Sequence, residues 1–188
     1  MDIEVRPVDA GRWDDLVTLF GPSGACSGCW CMWWRLTNRE FTANGSAGNR
    51  AALESLVRSG APVGLLAYAD GEPVGWCAVA PRPGYARLGR SRALALTDVD
   101  DPSVWSVVCF FVARRHRRAG VAGALLDAAV AHAAASGAEV IEGYPVAATG
   151  DGSPASLYTG TVGLFARAGF TVHAEPAGRR IVMRRPAR

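Results

Sequence analysis

Residues 105–135 constrain the fold more than any other part of the chain. Trp105–Val112 (WSVVCFFV) is almost unbroken apolar sequence, and after a short stretch of Arg and small residues the run Val121–Ala135 is rich in Ala and Leu. The first run is short, β-branched and aromatic, which suits a strand buried on both faces in the middle of a sheet. In the second, Val121, Leu125, Ala129 and Ala133 recur four apart with Leu126 and Val130 beside them, which predicts a helix with one core-facing stripe. A buried strand that turns directly into a helix calls for a sheet layered with helices, an α/β fold.

The rest of the chain supplies the other layers. Ile3–Arg6 reads as a short strand. Ala10–Phe20 reads as a helix whose Trp13, Leu16, Val17 and Phe20 share a face. A loop at Gly21–Gly28, an aromatic knot at Cys29–Arg35 and a polar connector precede a second amphipathic helix over Asn49–Val57. Val63–Tyr68 and Pro73–Ala80 flank Asp70-Gly71, a strong hairpin signal. Glu139–Val146 is a further strand, Ala147–Pro154 a loop and Leu157–Ala168 a short helix. Phe170–Val172 and Ile181–Arg184 are expected to close the sheet as a hairpin. With 188 residues and no internal repeat or boundary, the chain is expected to be one domain, 1–188.

Bulk properties exclude several classes. A formal charge of +3 with no extended basic stripe argues against nucleic-acid binding. The opening MDIEVRPVDAG lacks the basic and apolar regions of a signal peptide, and no run approaches the ~18 apolar residues of a membrane span. A cytoplasmic location and no membrane partner are therefore expected, with the five cysteines reduced.

The turn between strand and helix carries the chemistry. The first N–H groups of a helix lack intrahelical acceptors and sit at the positive end of its dipole. A pyrophosphate collects several of those bonds at once. Small residues Ala119, Gly120, Ala122 and Gly123 let phosphate oxygens approach, and Arg117 and its neighbours add charge.

Arg117-Arg118-Ala119-Gly120-Val121-Ala122 resembles the R/Q-x-x-G-x-G/A acetyl-CoA signature of the GCN5-related N-acetyltransferases (GNAT family). Leu164-Phe165-Ala166-Arg167-Ala168-Gly169-Phe170 is similar to that family's closing L-Y-x-K-x-G-F helix and turn. The resemblance implies mostly antiparallel N-terminal strands, a central splayed parallel pair and helices on both faces of the mixed sheet. It implies acetyl-CoA as co-substrate, with the backbone of Phe110, Phe111 and Val112 along the pantetheine arm. Arg117, Arg118, Ala119, Gly120, Val121, Ala122 and Gly123 would hold the pyrophosphate. The activity implied is acetyl transfer to a primary amine of a small molecule, by direct attack in a ternary complex. Acetylation of protein or aminoacyl amines is an alternative, as is a non-catalytic acyl-CoA sensor. A homodimer is compatible with each.

The chain departs from the family where an acid is needed. Phe165 stands where relatives commonly place a Tyr that protonates the leaving thiolate. Tyr158, seven residues earlier and two helical turns away, is the catalytic candidate for that acid; packing against cofactor or core is the other reading. Glu142, a carboxylate inside an apolar strand, is either a general base facing a cleft or half of a salt bridge to one of the many Arg residues. Asp98, Asp100 and Asp101 read adequately as an acidic turn.

Cys26, Cys29 and Cys31 have the spacing of half a zinc site, but no second Cys/His pair follows, so no metal is expected. Trp30, Trp33 and Trp34 either wall an acceptor pocket or anchor the N-terminal helices. In the family the acceptor site commonly lies here and in the loop before the central strand. That singles out Trp30, Trp33, Trp34, Arg35 and Arg82 as substrate-binding candidates, with the Arg residues of 82–92 read as carboxylate or phosphate ligands or as a solvated loop.

Overall fold

The computed structural model describes residues 2–91, 93–94, 96–146, 157–176 and 179–188. Arg92 and the loop expected at Ala147–Pro154 lie outside the described residues.

One sheet of seven described strands organises the chain, and across it lie in turn residues 3–7, 65–69, 72–81, 104–112, 140–143, 182–186 and 171–174. Strands β1 (Ile3–Pro7), β2 (Leu65–Ala69) and β3 (Glu72–Pro81) form an antiparallel meander against the central β4 (Val104–Val112). The β2–β3 turn is Asp70-Gly71, both with positive φ (51° and 80°), the backbone that a two-residue hairpin requires. β5 (Val140–Gly143) pairs with β4 in parallel, and this is the sheet's one parallel pair among the described strands. The C-terminal β6 (Thr171–Ala174) and β7 (Val182–Pro186) are the expected hairpin, but β7 inserts beside β5 and leaves β6 at the edge.

Helices cover both faces. α1 (Trp13–Phe20) and α2 (Asn38–Arg58) pack with the tryptophan loop on one face. α3 (Ala86–Gly89) is a single turn in the connection to β4. α4 (Val121–Ala135) and α5 (Val162–Arg167) cover the other face. Leu125 and Leu126 are fully buried there, each contributing about 2 kcal/mol by removal from water. α4 lies close on β3 because Gly75 has no side chain: a Cβ there would come within 2.6 Å of Val121.

Two helices differ from their expected spans. α2 begins at Asn38 rather than Asn49, because Thr37 and Glu40 form a reciprocal capping box, and its two segments meet at Gly45 with φ 57°. The signal was present as Thr-x-x-Glu ahead of the apolar positions. α5 begins at Val162 rather than Leu157, because Gly160 adopts φ 86° and the Thr161 side chain caps Leu164 N–H.

The strand that dominates the sequence pattern also carries an irregularity. Ala78 pairs with Cys109 but Val79 pairs with Val107, so Val108 is an extra residue in β4. Before it, Trp105 and Val107 face α4; after it, Val108 and Cys109 both face the tryptophan loop, while Phe110 and Val112 return to the α4 side. One inserted residue reverses the parity of everything downstream. It turns Cys109 and Phe111 toward α1 and the tryptophan loop.

Candidate functional site

β4 and β5 pair only from Val104 to Val107 and from Val140 to Gly143, and beyond that they part. The opening between them is bounded by the start of α4, the 157–161 turn and the loop from Ala25 to Trp33. Together they enclose a cleft of about 1470 Å³.

The floor of one end is the helix start. Ala113 leads through Arg114–His116 to Arg118, which is left-handed with φ 65°, and Gly120 is the N-cap residue with φ 84°. Among the described residues no side chain caps α4 and no acidic residue occupies its first turn, so the N–H groups of Val121, Ala122 and Gly123 have no described capping partner. A Cβ at Gly120 or Gly123 would meet nothing within 4 Å, so the backbone is open to the cleft at both positions. Arg117, Arg118, His116 and Arg167 line the same end. Arg117 Nε also donates to Val112 O at 3.3 Å, which ties the basic loop to the end of β4. Charge, unpartnered N–H groups and a side-chain-free surface meet here, the requirements for a polyphosphate.

Along the cleft, Phe110 N–H donates to Tyr158 O at 2.6 Å. Strand alternation turns the Val112 N–H and C=O to the same open side, whereas Phe111 faces β3. Of the three residues expected to run along a pantetheine arm, Phe110 therefore has its N–H engaged, and Val112 presents an outward N–H.

Tyr158 lines the cleft, though not as expected: it precedes α5 in a turn, so it shares no helical face with Phe165. Its hydroxyl accepts from Arg180 Nη2 at 2.9 Å. Burial raises its pKa, against the opposing pull of Arg180. Phe165 is wholly buried, its ring laid on Gly143 and Gly160, where any Cβ would overlap it, and edge-on to Phe110 and Phe170.

Glu142 is not among the described lining residues of the cleft. It is fully buried, ion-paired with Arg82 at 3.5 Å and with Arg184 Nε, and accepts from Tyr144, whose hydroxyl lies 2.8 Å from Ser106 Oγ. Arg82, expected at the acceptor site, is 1% exposed in this pair and donates to Thr97 O and Asp98 O. A carboxylate so enclosed has no open path to a substrate proton, so the geometry is that of the salt-bridge reading for both residues. Asp101 accepts from Ser103 N–H at 2.8 Å, as an acidic turn does.

The tryptophans divide. Trp30 is buried against Trp13 and Phe20, and Trp34 is buried with its ring stacked near Tyr144 at 6.4 Å; both are anchors. Trp33 alone of the three lines the cleft, 38% exposed, with Phe41 edge-on to it. Arg35 turns away, donating to Pro62 O at 2.7 Å beneath the Tyr85 ring.

Sequence patterning missed what the bulge brings together. Cys26, Cys29, Cys31 and Cys109 all line the cleft, beside Trp76 and Phe111. Trp30 and Cys31 hold consecutive left-handed conformations (φ 42° and 37°), a strained backbone that delivers this wall. Hydrogen bonding between thiols, with burial, raises Cys29 and Cys31 well above the ordinary thiol range. They stay protonated and are poor nucleophiles. Among the described residues, no group of three His, Cys, Asp or Glu side chains is disposed to hold a metal ion. No described helix is long and apolar enough to cross a membrane.

The profile of a family described as acetyltransferase (GNAT) matches residues 30–170. Among solved structures, the PaiA N-acetyltransferase from Thermoplasma acidophilum in complex with coenzyme A superposes with a TM-score of 0.57 at 14% identity, covering 99% of each chain. A phosphinothricin acetyltransferase from Sinorhizobium meliloti in complex with AcCoA has a TM-score of 0.56 at 16% identity, covering 99% of this chain and 89% of its own. The diaminobutyrate acetyltransferase EctA from Paenibacillus lautus, with its substrate and coenzyme A, has a TM-score of 0.53 at 14% identity over 97% and 93%. No curated protein matches the chain significantly.

Proposed function

The chain belongs to the GNAT acetyltransferase family, and from that premise we propose that it transfers an acetyl group from acetyl-CoA to a primary amine of a small molecule. The observation that carries the reading is the uncapped start of α4, with Gly120 and Gly123 open beneath Arg117 and Arg118 at one end of a single long cleft. Backbone N–H groups of Val121–Gly123 bind the pyrophosphate, and the arginines neutralise it. When bound, acetyl-CoA supplies a thioester activated toward amines. The outward N–H of Val112 polarises the thioester carbonyl, whose oxygen gains charge as the amine attacks.

Direct attack needs a neutral amine, one new C–N bond and one broken C–S bond. The acceptor end is walled by Trp33, Phe41, Trp76, Phe111 and the protonated thiols of Cys29 and Cys31. That wall disfavours the ammonium form and lowers the amine's pKa. The amine's proton leaves through water at the cleft mouth. Tyr158 O–H supplies a proton to the departing thiolate; its raised pKa keeps it protonated at neutral pH. The protonated Cys29 and Cys31 support direct attack over an acyl-enzyme.

Millimolar acetyl-CoA should raise the melting temperature, and Arg117→Glu should weaken that shift by placing a carboxylate against the phosphates. No shift in the wild type rejects the cofactor assignment. With binding established, release of free thiol across a broad amine panel reports turnover. Silence across that panel points to an acyl-CoA sensor instead.

A further inference from the structure

Arg87 and Arg180, both partly buried, stand apart from Arg82 and Arg184. Arg82 and Arg184 share Glu142, but neither Arg87 nor Arg180 has a carboxylate within ion-pair distance among the described residues. Arg87 lies flat on Trp33, its guanidinium 3.8 Å from the ring centroid, and spends its bonds on Trp33 O and Asn38 Oδ1. Its backbone N–H holds Trp34 O at 3.1 Å. Arg180 lies over the Trp34 and Tyr158 rings at 5.4 and 5.5 Å and gives one N–H to the Tyr158 hydroxyl. Both guanidiniums are near enough for their charge to bear on Tyr158.

Three enclosed donors have no acceptor among the described residues, Arg87 Nη2, Arg180 Nε and Trp34 Nε1; their residues border the cleft through Trp33 and Tyr158 and do not themselves line it. Orphaned donors of this kind are uncommon in native interiors, and here all are donors and two belong to cations. Burial also lowers the Arg87 pKa, as it does for a cation lacking a counter-ion. The complement that satisfies such a cluster is an anion with planar acceptor oxygens. The adjoining wall of Trp33, Phe41, Cys26 and Cys29 offers only apolar and soft contacts to the remainder of a ligand.

We propose that Arg87 and Arg180 form a carboxylate subsite at the acceptor end, so that the amine acetylated is that of an α-amino acid with an apolar side chain. The proposal rests on the acetyl-transfer reading and narrows its substrate class. It replaces Arg82, enclosed with Glu142, by two arginines that touch the cleft-lining Trp33 and Tyr158.

The test compares L-leucine, L-methionine and L-phenylalanine with their near-isosteric amides, with acetyl-CoA at saturation. The free acids should exceed the amides in kcat/KM by roughly 10- to 100-fold, the range of a charge-assisted hydrogen bond. Arg87→Gln and Arg180→Gln should each collapse that ratio toward unity. Arg180→Gln also disturbs Tyr158, but a change in the common rate cancels in the ratio. Retention of the coenzyme A melting shift shows that a variant is folded, and if one variant fails to fold the other decides. Calorimetric titration of the same acids and amides into the coenzyme A complex gives a readout independent of turnover. Amides that match the acids in the wild type overturn the proposal, as does discrimination that survives in a folded variant. Absence of binding by every acid to the coenzyme A complex also overturns it. Failure of the acetyl-transfer reading shows separately, as absence of the coenzyme A shift itself.

Discussion

Replacing Glu142 by Gln separates a structural carboxylate from a catalytic one. The substitution keeps size and one acceptor oxygen for Tyr144 but removes the charge that two guanidiniums share. Breaking a buried pair from one side leaves an uncompensated charge and typically costs about 3–5 kcal/mol. Arg82, 1% exposed, has no route to water, whereas Arg184 keeps 23% of its side chain exposed and can rehydrate. The lower end, about 3 kcal/mol, is therefore the expected loss. For a chain of this size that corresponds to a fall of about 6–12 °C in melting temperature, followed by circular dichroism at pH 7. Measured well below that transition, kcat/KM should stay within about threefold of wild type, since the side chain lies outside the cleft. A variant with an unchanged melting temperature and a hundredfold lower kcat would refute the reasoning and restore Glu142 as a base.

Tyr158→Phe should lower kcat by roughly 10- to 100-fold, near the low end for a general acid because a thiolate leaves readily, while KM for acetyl-CoA is unchanged. Because burial raises the Tyr158 pKa, its proton is retained through mildly alkaline pH; the wild-type rate should lose its acid only above the ordinary tyrosine value, and the variant should lack that limb. Phe165→Tyr in the same background should not restore turnover and should lower stability by about 1–3 kcal/mol, because the added hydroxyl is forced into a fully buried, tightly packed ring site. Among the cysteines, iodoacetamide should modify Cys26 first, the exposed one, with Cys29 and Cys31 slow in their protonated state. Saturating coenzyme A should slow labelling of Cys26, and equal rates with and without it would place the ligand elsewhere.

Much of the frame was legible because local rules agreed with the global fold. The continuous apolar run became β4, the fourfold spacing after it became α4 from Val121 to Ala135, and Asp70-Gly71 closed the β2–β3 hairpin. The open helix start was legible for the same reason: a glycine at the N-cap and small residues in the first turn are a local requirement, met by contiguous residues. The capping box at Thr37 was also local, and its Thr-x-x-Glu pattern marked a helix that hydrophobic spacing alone did not reach.

What periodicity does not encode is which strand lies beside which, and where a strand gains a residue. Nothing in the order of apolar and polar positions told that β7 would insert next to β5, and that neighbour is what closes Arg184 over Glu142. Nor did it show the bulge at Val108, which turns Cys109 and Phe111 toward the cysteine and tryptophan loop. Tyr158 shows both halves of this. Its residue type and nearness to the closing helix marked it as a candidate, but its place in the cleft comes from a turn joined to β4 by one backbone hydrogen bond and from Arg180, 22 residues on. By itself the sequence determined the central strand, the helix after it and the glycine turn between them, because each depends on neighbours along the chain. The tertiary structure alone decided which arginines are enclosed with Glu142 and which lie over Trp33, Trp34 and Tyr158, because that depends on contacts between segments far apart in sequence.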